Sequence, residues 1–219
     1  MSEPERGDRT ERARIERAAD IEPASMRVVD ELLPDGGWSA EERAIVKRLV
    51  HASGDPSLAS AIAFSPGAVA AGVAALRRGG DVVTDVRMVA VGVDQRRLGA
   101  LGGTLRCAID DDEVARQAAE SGRTRAATAM RSLPDVLPGS IVAIGNAPTA
   151  LREIIALTEA GVRPALVVGV PVGFIDAAES KAALEATDLP YVTIRGTRGG
   201  SPLAAAAVNA LLRLAESDA

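Results

Sequence analysis

Five short apolar runs rich in β-branched residues punctuate the later two-thirds of the chain, and a helical stretch follows each one. The runs are DVVTDV (81–86), TLRCAI (104–109), SIVAIG (140–145), ALVVGV (165–170) and YVTIRG (191–196). The helical stretches are MVAVGVDQRRL, DDEVARQAAESGRTRAATAMR, APTALREIIALTEAG, AAESKAALEA and SPLAAAAVNALLRLA. The runs are almost continuously apolar, which is the pattern of strands covered on both faces. Strand–helix alternation of this kind calls for right-handed crossovers and a mostly parallel sheet between two helical layers. The fold class predicted is α/β with three layers and about five strands.

With 219 residues the chain is long enough for one domain and its core. The first ten or so residues are polar and carry no periodic apolar face, so they are expected to be a disordered extension. A single domain is expected over 11–215, helical to about residue 80 and alternating strand and helix thereafter. Its composition excludes much chemistry. One cysteine, Cys107, cannot form a disulfide within the chain, and with one histidine, His51, there are too few ligands for a Cys/His zinc site. The aromatics are Trp38, Phe64, Phe174 and Tyr191, too few for a stacking platform on single-stranded nucleic acid. A net charge of −5 also argues against a nucleic-acid partner. No apolar run approaches the ~18 residues of a membrane span, and the charged N-terminus lacks a secretory core, so a cytoplasmic location is expected.

The first third reads as helices. One is expected over about Thr10 to Leu33, with Pro23 as the place where it can break. Ser39-Ala40-Glu41-Glu42 has the spacing of a capping box, which opens a helix to about Ala52 that stops near Gly54. Asp55-Pro56 and Ser65-Pro66 each place a capping side chain before a proline in the first turn. The second of these helices should end at Gly79-Gly80.

In a parallel sheet, ligands bind beyond the carboxyl ends of the strands. Three glycine-bearing turns land there: Gly145-Asn146-Ala147-Pro148-Thr149, Pro171-Val172-Gly173-Phe174 and the segment from Gly196 to Pro202. At least two feed helix N-termini, where N–H groups and the dipole attract anions. Conformational need alone also accounts for glycine in such turns. None matches a dinucleotide fingerprint or a phosphate loop, which weakens any nucleotide-binding reading.

At 100° per residue, Ile45, Val46, Leu49, Val50 and Ala52 form the apolar stripe of the Ser39 helix. His51 falls on the other side, near Lys47 and Arg48. Periodicity favours a solvated histidine; the alternative is a face that lines a cleft or a subunit interface, and spacing does not separate the two. Cys107 is expected to be buried within its strand. Asp110-Asp111-Asp112 reads as an N-cap with charge complementing the dipole. Glu179, Ser180 and Lys181 open an amphipathic helix, where exposure is expected.

Several segments together resemble the precorrin-8X methylmutase family, also called cobalt-precorrin-8 methylmutase. They are KRLVHASGD (47–55), FSPGAV (64–69), TDVRMVAVGV (84–93), IGNAPTAL (144–151), GVPVGFIDAAESK (169–181) and RGTRGGSPLAAAAVNALL (195–212). They stand in the family's order and cover nearly everything from about Ser25 to Leu212. The resemblance implies a flavodoxin-like α/β fold and an isomerase of cobalamin biosynthesis. Its reaction moves a methyl group from C-11 to C-12 of the tetrapyrrole, giving hydrogenobyrinic acid or its cobalt-containing counterpart, with no cofactor and no metal required. It further implies that His51, the histidine of the VHA segment, is the proton donor and acceptor. Ser25 and Arg48 correspond to substrate contacts, and Arg125, Asn146, Arg195 and Arg198 are added as candidate carboxylate or ring contacts. A homodimer with shared sites is implied as well. A tetrapyrrole carrier and a phosphate-binding α/β enzyme are the competing classes.

Overall fold

In a computed structural model the described residues are 17–217. The expected N-terminal extension lies outside them, as do residues 10–16 of the first expected helix. Helix α1 (Ala18–Leu32) runs without interruption through Pro23. The proline withholds one N–H from the ladder, and the helix continues past it. Helix α2 (Ala40–Ser53) begins with the expected capping box: Ser39 Oγ accepts from the Glu42 N–H, and Glu42 Oε2 accepts from the Ser39 N–H. It ends on Gly54 in the left-handed region, φ 66°. Ala52, assigned to the apolar stripe, is exposed, because α2's buried face ends at Val50.

Asp55 caps a six-residue 3₁₀ turn, Pro56–Ala61, instead of an α-helix. It leads into β1 (Ile62–Phe64), a strand the sequence pattern did not disclose. Strand β1 pairs antiparallel with β6 (Tyr191–Ile194), so the sheet has six strands where about five were expected. Ser65 also serves this pairing. Its N–H donates to the Tyr191 carbonyl and its Oγ accepts from the Tyr191 N–H, so it does not cap helix α3 (Ala68–Arg77).

The other strands are β2 (Val82–Thr84), β3 (Leu105–Arg106), β4 (Ile141–Ile144) and β5 (Leu166–Gly169). The sheet order is β1-β6-β5-β4-β2-β3, with every neighbouring pair except β1–β6 parallel. Counted among themselves, the parallel strands follow the doubly wound order 2-1-3-4-5, with the reversal of direction between β2 and β4. Every residue of β4, β5 and β6 is buried, as continuous apolar runs require.

Helices α4 (Arg87–Gly92) and α5 (Gln95–Ala100) occupy one expected stretch. Asn209 of α10 (Ser201–Glu216) holds the break open, accepting from the Asp94 N–H at 2.8 Å and donating to the Gly92 carbonyl at 2.8 Å. Helices α6 (Asp112–Ser121) and α7 (Arg125–Arg131) are likewise separate. Gly122 is left-handed at φ 69° and Thr124 caps the next helix. Asp110 pairs with Arg87, and Asp111 at the cap of α6 makes no side-chain capping bond. Helices α8 (Pro148–Glu159) and α9 (Ala177–Glu185) complete the set. One core lies under α2, α3 and α10, the other under α7, α8 and α9. No helix of the described residues is long and apolar enough to cross a membrane.

Two further expectations fail on burial. Cys107 is half-buried, because β3 is two residues long and the chain has left the sheet before it. Ser180 and Lys181 are fully buried, because α9 packs against both α8 and strand β6. Burial pulls the Lys181 ammonium down to about 8. Its ordinary value is 10.5, so between about pH 8 and 10.5 the unfolded chain binds the extra proton and stability rises with pH. Across that window the native protein should gain up to about 3 kcal/mol relative to Lys181→Met. Urea unfolding at stepped pH measures it, and a difference that does not vary with pH contradicts the buried ammonium.

Candidate active site

Helix α2 places its side chains by burying Ile45, Val46, Leu49 and Val50, largely against α10, which turns His51 outward. Helix α1 lies along that outer face. The Ser25 hydroxyl meets His51 Nδ1 at 3.0 Å. One turn back, Arg48 pairs with Glu22 of α1, and Arg213 of α10 reaches the same carboxylate at 3.3 Å. Hydrogen bonding from Arg48 holds the Glu22 carboxyl below its usual range. Arg43 and Lys47 close on Asp30, at 2.9 and 3.2 Å. The cations on this face of α2 are thus neutralised by α1, while the imidazole has a hydroxyl partner on one ring nitrogen. Nε2 has no hydrogen-bond partner among the described residues, which leaves it to exchange a proton with a ligand.

The carboxyl edge of the sheet meets this group through Arg198. Its Nη1 donates to Asp55 Oδ2 at 2.8 Å and to Ser57 Oγ at 3.0 Å, immediately beyond the end of α2. The Ser57 bonds, with Arg198 adding to them, hold the Asp55 carboxyl below its usual range. The 196–200 loop is tied in turn to the loop after β5, where Gly173 N–H donates to the Thr197 carbonyl at 3.1 Å. Arg125 opens α7, and Asn146 lies in the turn after β4; both are exposed. The Thr124 and Thr149 hydroxyls, 2.7 Å apart, join the starts of α7 and α8 at the same edge. Arg125 makes no ion pair among the described residues. Arg195 goes elsewhere: Glu185 of α9 holds its guanidinium through two nitrogens, on the layer away from α2. Of the candidate residues, the structure joins Ser25 and His51 directly, sets Arg48 one turn back on α2 with Glu22 of α1 as its partner, and ties Arg198 to Asp55 just beyond the end of α2. It sets Arg125 and Asn146 further along the edge and leaves Arg195 apart.

Asp85 was not among the candidates, yet it occupies the switch point. Its carboxylate accepts from the N–H groups of Gly145, Asn146 and Ala147, at 3.1, 2.8 and 2.8 Å. Burial pushes its pKa up, against the pull of those three donors. The N–H groups that the sequence offered to an outside anion are therefore already taken by an internal one. The available signal was a lone carboxylate inside the apolar run VVTDV. Glu22 and Asp55 were also missed, as partners that only tertiary packing supplies.

This doubly wound α/β protein thus carries, near the end of α2, an imidazole whose Nε2 is open among the described residues and an arginine reaching over from the carboxyl edge of the sheet. Such groups can serve acid–base chemistry on an anionic ligand. The family model for precorrin-8X methylmutase matches residues 20–214. The chain is 42% identical to the cobalt-precorrin-8 methylmutase of Priestia megaterium, over 90% of this chain and 88% of that one. It is 47% identical to the precorrin-8X methylmutase of Pseudomonas aeruginosa, over 80% and 85%. The solved precorrin-8X methylmutase of Thermus thermophilus superimposes with a TM-score of 0.85 at 38% identity, covering 90% of this chain and 96% of that one. The chain belongs to the precorrin-8X methylmutase family, the methyl-shifting isomerases of cobalamin biosynthesis.

Asp85→Ala leaves three backbone donors without their acceptor. The expected loss is about 3 kcal/mol or more, seen as a thermal midpoint lowered by about 10 °C. Calorimetry checks it, and a midpoint within 2 °C of the native value removes Asp85 from this role.

Proposed function

We propose that this chain moves a methyl group from C-11 to C-12 of precorrin-8X, or of its cobalt-containing form, to give hydrogenobyrinic or cobyrinic acid. The observation that carries the proposal is the Ser25–His51 pair at the end of α2. The hydroxyl on Nδ1 orients the ring, and Nε2 delivers the proton to the macrocycle. Protonation polarises the conjugated system, the methyl migrates with its bonding electrons, and the proton returns to His51. Substrate and product have the same atoms, so no other reactant enters. An imidazole can both give and take a proton at its ring nitrogens, so one residue serves both directions of transfer.

Acetate and propionate groups around the macrocycle call for donors spread over a wide rim, and in this reading Arg48, Arg125 and Arg198, with Asn146, supply them; the exposure of Arg125, Asn146 and Arg198 supports it. Arg195 serves this rim only after leaving Glu185. The functional unit in this reading is a cytoplasmic homodimer with shared sites. Met88, Val91, Phe174 and Ile175 support it, because all four are at least 66% exposed although large and apolar.

His51→Ala should retain tetrapyrrole binding and lose at least about a hundredfold in turnover, the contribution expected of a positioned acid–base group. Absorbance change on conversion of precorrin-8X and of cobalt-precorrin-8 measures it. Turnover at the native rate would remove His51 from its role, and native protein that binds the macrocycle without converting it would be a carrier.

A further inference from the structure

Lys181 lies in the second turn of α9, in the helical layer opposite α2, and none of its side chain reaches solvent. Its Nζ donates to the Arg198 carbonyl at 2.6 Å. Withdrawing an ammonium from water is costly, and a hydrocarbon of similar volume would fill the place without that cost. What the lysine adds is a hold on one peptide carbonyl. The rest of that loop has little freedom. Gly200 N–H donates to the Val170 carbonyl at 2.8 Å, and Gly173 N–H donates to that of Thr197. A Cβ at Gly199 would stand 2.2 Å from the Val170 oxygen, so only glycine fits. With the carbonyl of residue 198 held by Lys181, the Arg198 side chain is directed to Asp55 and Ser57, past the His51 end of α2.

We propose that Lys181 is a positioning residue of the substrate rim: by gripping the Arg198 carbonyl it orients the loop and sets the Arg198 guanidinium beside the His51 end of α2. The proposal rests on the methylmutase reading, in which Arg198 receives a carboxylate of the macrocycle. It gives the buried lysine of α9 an effect on the opposite helical layer, through one peptide and one guanidinium.

The test is steady-state kinetics of the full chain with precorrin-8X. Lys181→Met should raise KM about tenfold and change kcat less than about threefold, because a rim contact is made alike in ground and transition states. Arg198→Ala should raise KM to a similar extent. In the Arg198→Ala background, Lys181→Met should add less than about twofold, since both act along one path. Lys181→Gln, which keeps a donor, should recover part of the KM. A fall in kcat with unchanged KM, or effects that multiply in the double variant, would overturn the proposal. Arg198→Ala alters only an exposed side chain, so an unchanged KM there overturns it even if both variants at 181 fail to fold. Native protein that fails to convert the substrate refutes the methylmutase reading instead, and the same variants are then compared by tetrapyrrole Kd, where an unchanged Kd in Lys181→Met also ends the positioning role.

Discussion

The carboxylate of Asp85 organises the centre of this molecule. Strand β2 delivers it to the point where the strand order reverses, and it gathers the three N–H groups that begin the β4-to-α8 turn. Backbone donors at a helix start need acceptors, and in many doubly wound proteins a ligand's phosphate provides them. Here the chain provides its own. The turn is closed before any ligand arrives, and α8 begins at Pro148, which has no N–H to satisfy. The same turn packs against α10, where a Cβ at Gly145 would stand 2.7 Å from the Ser201 Cα. Closing the central slot leaves the outer rim of the carboxyl edge for a ligand. A wide, flat, many-armed molecule suits a rim better than a slot.

The rim acquires its chemistry from a helix that precedes the parallel sheet in the chain. Helix α2 is held by its capping box at one end, a left-handed glycine at the other and four fully or almost fully buried aliphatics between. His51 is therefore carried on a stiff element, one residue past the last buried position. Helix α1 then covers the polar face and contributes Ser25 and Glu22. The catalytic proposal depends on this two-helix arrangement as much as on the sheet beneath it.

Much of this was legible in the residues because it is local. The capping box, the stop at Gly54 and the buried parallel strands follow from short-range pattern and burial, and their register in sequence was visible. The family motifs were legible as well. What escaped was tertiary. Strand β1 has three residues, too few for periodicity, and exists because β6 offers an edge. The break between α4 and α5 is held by an asparagine more than a hundred residues away. Lys181 reads as a surface residue until α9 is laid against its neighbours. The arginines were visible as cations, but their carboxylate partners, Glu22, Asp55 and Glu185, come from elements that only folding brings near.

Those partners bear on how the rim can work. Arg48, Arg195 and Arg198 are each held by a protein carboxylate, and Arg198 with Asp55 is well exposed on both sides. Exposed ion pairs of this kind contribute only about 0–1 kcal/mol. In the proposed function a substrate carboxylate therefore replaces Asp55 at Arg198 at little cost, exchanging one charge-assisted bond for another. Until then Glu22 and Asp55 hold the Arg48 and Arg198 guanidinium groups in place and lower the entropy lost on binding, whereas Glu185 keeps Arg195 away from them. Arg125, with no ion pair among the described residues, is the exception, and in the proposed function it meets an acetate or propionate without leaving a partner. The rim of the proposed function is then a set of exchangeable pairs near one orientable imidazole, an arrangement suited to a ligand defined more by the number and spread of its carboxylates than by any single recognition group.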